Sequence, residues 1–393
     1  MQPSSGAPGG RHRGGRARDG RRLPRWAVRT VQVVAVVVSM CAFSGIAYAW
    51  STYRSLGNSV QSIAIKAIDD PGSAPSGASG APGPSGPGVA QNILLVGVDS
   101  RAGLSRAEEH RLHTGNDQGT LNTDVIMLVH IPADGKQAKI ISLPRDAFVH
   151  IGGGWIDNKL NAAYPDAWSE ARQHGESESA AEGAGANLLV TTVEKLTGVR
   201  IDKYVQVGFS GFEQIAHVIG SMPVDLCNSV DDRNSGFHMS AGHHRMNPVQ
   251  MLEFVRQRDG LPGGDVSREK RQEYFLKTAF SKVLSPAVFS SPSRLSGLVS
   301  VIKHSFLIDG FSNLADFADE MSSLTSSNIS GTPIPVVNLN GRRIIGNQTE
   351  DVIIVNPKQV RTFVAKQFAA ADHPAAHHAS GGHKHAAKAG CIN

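Results

Sequence analysis

The segment VQVVAVVVSMCAFSGIAYAW, residues 31 to 50, carries no charged side chain. Twenty residues of this kind are what a helix needs to cross the hydrocarbon core of a bilayer. The 29 residues before it hold eight arginines (11, 13, 16, 18, 21, 22, 25 and 29) and one acid, Asp19. That is a net +7 in a chain whose total is +5, so the remainder is near −2. Cationic residues beside a span stay on the cytoplasmic side, so the sequence predicts a cytoplasmic tail (1–29), a single transmembrane helix (30–51) and an extracytoplasmic remainder at the cell membrane. Trp26, Tyr48, Trp50 and Tyr53 fall where interfacial aromatics belong. Ala47-Tyr48-Ala49 resembles a signal-peptide cleavage site, but an apolar segment of this length fits an anchor better. The basic tail also invites a nucleic-acid reading. It has no interleaved aromatics and adjoins the span, so topology explains it and no nucleic-acid partner is expected.

Residues 52–90 read as a stalk followed by the Gly/Pro/Ser linker PGSAPSGASGAPGPSGPGVA, a composition that cannot bury a core. The folded part is expected over 91–370, and 371–393 reads as a disordered tail rich in histidine (373, 377, 378, 383, 385). Outside the cytoplasm, Cys227 and Cys391 could be bridged or could be two free thiols. Cys41 lies inside the span.

Within 91–370 the pattern is mixed α/β. NILLVGV (92–98) is a short apolar run ending at Asp99, and VIMLVHI (125–131) is a second, preceded by Asp124. Pro132-Ala133-Asp134-Gly135 is a turn, followed by AKIISL (138–143) and Pro144. The short turn makes the second and third strands antiparallel, which sets Asp124 beside Arg145 and Asp146. If the first strand runs antiparallel to the second, Asp99 and Arg101 join the same edge. Ser210 and Glu213 match a capping box ahead of a helix that stops at Gly220. Residues 187–196 form another helix, closed by Gly198. SEARQHGESESAAEGAG (169–185) reads as a surface insertion.

The stretch VRQRDGLPGGDVSREKRQ (255–272) gathers five cations around a glycine-proline loop. Asn247-Pro248 starts a helix that delivers Arg256 and Arg258 at its end; Asp265 caps the next. In that helix Arg268, Gln272, Leu276, Ala279 and Val283 share the apolar face, so Arg268 and Gln272 point inward and Lys270 and Lys277 outward. An inward guanidinium needs an anion. A salt bridge to Asp265 would serve, and so would a phosphate held by arginine forks. Paired carboxylates beside such arginines suit Mg²⁺ bound through Asp99, Asp124 and substrate phosphates. No GxxxxGK[ST] loop, HExxH or paired CxxC occurs, and Gly208-Phe209-Ser210-Gly211-Phe212 does not fit a nucleophile elbow.

Five motifs in order, NILLVGVDSR (92–101), NTDVIMLVHI (122–131), SLPRDAFVHI (142–151), NKLNAAY (158–164) and FVRQRDGLPGGD…R…RQ (254–272), resemble those of the LytR–CpsA–Psr family of cell-wall glycopolymer phosphotransferases, in its actinobacterial form. The resemblance implies an α-β-α sandwich around a central mixed, largely antiparallel sheet. It implies an enzyme that moves a phosphoglycan from a polyprenyl-pyrophosphate carrier to a peptidoglycan hydroxyl. Carried over by position, Asp99 and Asp124 would hold Mg²⁺ or Mn²⁺. Arg145, Arg256, Arg258, Arg268 and Gln272, with Arg101 and Lys159, would bind the pyrophosphate. Asp146 would orient Arg145 or act as base. The chain departs from the family at Asn122, where many members have arginine, at Gly208, and at Asn247-Pro248. The same residues would also serve a pyrophosphatase using water as acceptor, or a non-enzymatic regulator that binds polyprenyl phosphate.

Overall fold

The computed structural model describes residues 61–69, 88–100, 121–152, 154, 156–257, 259–261, 265–283, 288, 291–311, 323–325, 327–373 and 391–392. Every described residue belongs to the compact unit Thr52–Asn393. The expected transmembrane helix, most of the linker and most of the histidine-rich tail lie outside the described residues. Among the described residues no helix is long and apolar enough to cross a membrane.

A seven-stranded sheet forms the centre. Its strands are β1 (Gln61–Ser62), β2 (Gln91–Val98), β3 (Thr123–Ile131), β4 (Ala138–Ser142), β7 (Lys203–Val207), β12 (Phe306–Asp309) and β13 (Ile329–Pro333), in the order β1-β12-β7-β2-β3-β4-β13. The pairs β2–β3, β3–β4 and β7–β12 are antiparallel, whereas β1–β12, β2–β7 and β4–β13 are parallel. The sheet is therefore evenly mixed, not largely antiparallel. Only the hairpin-linked antiparallel pairs leave a local signature; each parallel pair joins strands far apart in the chain.

Alternation along the strands divides their side chains between two cores. Leu94, Val96, Ile126, Leu128 and Ile141 face one side, packed with helices α2 (Ala163–Gln173), α3 (Glu178–Thr197) and α8 (Pro357–Asp372). Ile93, Met127, Val129, Ile131 and Ile140 face the other, packed with Leu276 and Phe280 of α6 (Asp265–Val283). That is the helix–sheet–helix layering expected. A third core gathers α4 (Phe209–Ile219), α5 (Pro248–Arg256), α6 and the antiparallel pair β8 (Met222–Leu226) and β11 (Gly242–Met246).

Three local expectations are corrected. Residues 61–69 are not stalk: β1 pairs with β12, and Ile63, Ile65 and Ile68 enter the main core, because three isoleucines at near-alternate positions favour burial over solvent. The backbone there is tied by Ile65 N donating to Asp309 Oδ2 at 2.8 Å and by Ala67 N donating to Asn187 Oδ1 at 2.9 Å. Residues 169–185 are not an insertion but the end of α2 and the start of α3. Ser177 caps α3 by accepting from Ala180 N, and Gly198 closes it with φ 72°. The small residues are needed for helix contact, since a Cβ on Gly185 would lie 2.9 Å from the Tyr164 carbonyl oxygen. Finally, α4 is capped by Gly208 without a side-chain bond, and Ser210 sits in the first turn, accepting from Gln214 Nε2. The capping box that does form is Asn247 with Gln250, ahead of Pro248.

A four-stranded sheet lies beyond β4, in the order β14 (Asn338–Ile345), β15 (Gln348–Ile354), β5 (Ala147–His150), β6 (Asp157–Lys159). Ala147, Val149 and Ile353 are part of the main core, so this sheet closes the domain on the α2–α3 side. Cys227 and Cys391 form a disulfide, and Ile392 bridges to Leu226 beside β8.

Candidate active site

The chain passes from the large sheet to the small one through a single turn. Leu143 N still bonds to Ile126 O at 2.9 Å, and then Ala147 N donates to Pro144 O at 3.0 Å. This is a β-turn whose two central residues are Arg145 and Asp146. Arg145 Nη1 bonds Asp124 Oδ1, and its Nε donates to Asp146 Oδ2 at 3.3 Å. One guanidinium thus links the carboxylate at the start of β3 to the carboxylate at the start of β5. Asp99 reaches the same edge: Val98 pairs with Thr123, and Asp99 N donates to Asn122 O at 3.0 Å. The structure brings together Asp99, Asp124, Arg145 and Asp146, all partly open to solvent.

Asn161 belongs to the same arrangement, although no role was expected of it. Its N–H donates to Arg145 O at 3.0 Å and its carbonyl accepts from Thr123 Oγ1 at 3.4 Å. The turn that carries Arg145 is thereby fastened to β3 next to Asp124. The only sequence signal was its place in NKLNAAY. Gly208 has a related use: a Cβ there would lie 3.2 Å from Ser100 O, so glycine lets the start of α4 pack against the segment after Asp99.

Among the arginines of 255–272, Arg256 ends α5 half-buried, and Arg268 on α6 is 4% exposed. Gln272 Nε2 points to Val255 O at 3.5 Å, so it lies between the end of α5 and α6. Lys270 is exposed as expected, whereas Lys277 is half-buried and paired with Glu273. The deepest cation is Arg271, with no exposed surface, stacked 4.5 Å from the Phe254 ring centre and 5.5 Å from that of Phe237. Burial lowers its pKa to about 10, opposed by the charge of Asp232. Arg271 is enclosed because Phe237 comes from a hairpin some thirty residues earlier in the chain. Lys159 lies on the small sheet, with Nζ 3.0 Å from Glu350 Oε2. Arg101 and Arg258 lie outside the described residues.

Two carboxylates at one sheet edge are hard oxygen donors of the kind Mg²⁺ takes when substrate phosphates and water complete its shell. Among the described residues no group of three or more His, Cys, Asp or Glu side chains is arranged to hold a metal alone. Arg145 already engages Asp124, so the donor set fits an ion shared with an anionic substrate better than a closed structural site.

The LytR_cpsA_psr family model matches residues 81–367. The chain is 33% identical over 296 residues to the cell wall biosynthesis protein LcpA of Corynebacterium glutamicum, covering 72% of this chain and 56% of that protein. It is 28% identical over 212 residues to the polyisoprenyl-teichoic acid–peptidoglycan teichoic acid transferase TagU of Bacillus mycoides, covering 54% of this chain and 58% of that one. The chain thus spans about half the length of the curated relatives it matches. Its fold is similar to the crystal structure of B. subtilis TagV, with TM-score 0.53 at 20% identity, over 72% of this chain and 98% of that one.

Proposed function

Because the chain belongs to the LytR_cpsA_psr family, we propose that it is a membrane-anchored phosphotransferase that moves a phosphoglycan from a polyprenyl-pyrophosphate carrier to a hydroxyl of peptidoglycan. The observation that carries this reading is the Asp124–Arg145–Asp146 chain at the edge where Asp99 emerges. A guanidinium held by carboxylates on two sides is oriented before substrate arrives, so little reorganisation remains when charge builds on the pyrophosphate. Arg256, Arg268 and Gln272 would supply further donors from α5 and α6, with Arg101 and Arg258 as additional candidates by motif position. Asp99 and Asp124 would hold the Mg²⁺, which when bound neutralises phosphate charge as the leaving group departs.

In this step the acceptor oxygen bonds to the glycan-side phosphorus and the bridging P–O bond breaks. Polyprenyl phosphate leaves with the electron pair. The acceptor proton passes to a carboxylate, for which Asp146, held by Arg145 through Oδ2, is the candidate. The half-buried Leu95, Val125, Val205, Leu276 and Phe280, between the large sheet and α6, form an apolar surface suited to the polyprenyl chain. The Cys227–Cys391 disulfide supports an oxidising, extracytoplasmic location.

The test is transfer from a polyprenyl-pyrophosphate-linked sugar to a peptidoglycan oligomer, with Mg²⁺, by wild type, Asp124→Asn and Arg145→Lys. Each variant should lose at least about 10²-fold in kcat, with thermal stability nearly unchanged because a partly exposed ion pair contributes little. Wild-type rates in both variants would refute the assignment.

A further inference from the structure

The four-stranded sheet presents one face to the core and the other outward, and the outward face begins at the Arg145–Asp146 turn. Phe148 is paired across the strands with Lys159, and Arg343 with Glu350. Cross-strand partners share a face, and two contacts join the pairs: Lys159 Nζ bonds Glu350 Oε2 at 3.0 Å, and the Arg343 guanidinium lies 5.6 Å above the Phe148 ring. The acid opposite Arg343 is therefore occupied by Lys159. Arg343 keeps a bond from its Nη1 to Arg342 O at 2.9 Å and its place over the ring. No carboxylate contacts Arg343 among the described residues. The neighbouring Arg342 is different: it pairs with Asp351 at 3.4 Å.

We propose that this face (Phe148, Arg343 and the Lys159–Glu350 pair) is the acceptor platform, taking a sugar ring whose substituent ends in a carboxylate. The inference rests on the transferase reading above. Three features favour it. The surface is continuous with the reacting centre, since Phe148 lies two residues beyond Asp146. It lies on the opposite side of the large sheet from the apolar surface assigned to the carrier lipid, and in-line displacement at phosphorus requires attack from the side opposite the leaving phosphate. Its chemistry is complementary to the ligand: the Phe148 ring holds the Arg343 guanidinium in place, and that pre-oriented fork offers a bidentate partner to a carboxylate. Glu350 and Lys159 act as positioning residues, because their mutual bond keeps the acid away from Arg343.

The test uses the full chain in detergent with two probes, a peptidoglycan disaccharide-peptide bearing free carboxylates and the same fragment with its carboxylates amidated. Binding is measured by calorimetry independently of turnover. Wild type should favour the free acid about tenfold, Arg343→Ala should reduce that preference to about twofold or less, and Arg343→Lys should restore part of it. In the transfer assay Arg343→Ala should raise the acceptor KM five- to tenfold while kcat and the donor KM hold. Unchanged discrimination in Arg343→Ala, or no binding by wild type, overturns the platform. Carboxylate-dependent binding without transfer to any acceptor would retain the platform and reject the transferase reading instead.

Discussion

Cutting the Cys227–Cys391 bond by the substitution Cys391→Ser tests how the end of the chain is held. The cysteines are 164 residues apart, and closing a loop of that length removes about 5 kcal/mol of entropy from the unfolded chain. That figure is a ceiling, since the native state can also relax when the bond is absent. The docked end is held by Cys227 N to Ile392 O at 3.1 Å, by Ile392 N to Asp225 O at 2.7 Å, and by partial burial of Ile392. Together these contribute about 3 kcal/mol. Against them stand closure of the 18-residue connection from His373 to Gly390, roughly 3 kcal/mol, and ordering of two residues, about 3 kcal/mol. Docking without the bond is thus unfavourable by about 3 kcal/mol, and releasing the end returns that amount. The net loss should be about 2 kcal/mol, or roughly 3 °C in Tm for a domain of this size. Urea unfolding of oxidised wild type and Cys391→Ser gives the free energy, and hydrogen exchange at the Cys227 amide should change from protected to open. A loss near 5 kcal/mol with Cys227 still protected would show that the tail docks by itself and refute the reasoning.

Two further predictions concern buried charges. Glu194 is fully buried, accepts from Ile201 N at 2.9 Å, and burial raises its pKa to about 7. A folded-state pKa above the unfolded value of about 4.3 means the folded protein holds the extra proton, so this group's contribution is full below pH ~4.3 and is lost as pH rises through about 7, to a total of about 4 kcal/mol. Glu194→Gln should remove that decline, and parallel stability–pH curves for the two proteins would contradict it. Arg271→Met should raise stability by about 1–2 kcal/mol in the same urea assay. The guanidinium has lost about 3 kcal/mol to burial and regains less from the Phe254 and Phe237 rings. Asp232 remains bonded to Asn234 N and to Ser235 N and Oγ. Destabilisation beyond about 1 kcal/mol would mean that the pair with Asp232 outweighs desolvation.

What the sequence determined is local. The runs 92–98, 125–131 and 138–143 become β2, β3 and β4 because each carries its own apolar pattern. The four-residue turn at 132–135 sets the antiparallel register of β3 and β4, which places Asp124 beside Arg145; Asp99 joins that edge only through the β2–β3 pairing, which no short turn dictates. Asn247 and Gln250 cap α5 through atoms three residues apart. Tertiary structure decided whatever depends on partners distant in the chain. β1 is added to the sheet by β12, some 245 residues later, and the small sheet pairs β5 with β15, about 206 residues later. Arg271 is enclosed by Phe237 and Phe254, and Lys159 is claimed by Glu350. Side-chain periodicity reports which face is apolar within a few residues; it carries no information about which distant strand or ring will cover that face. The Asp124–Arg145 edge could therefore be read from the chain, while the outer face of the small sheet could not.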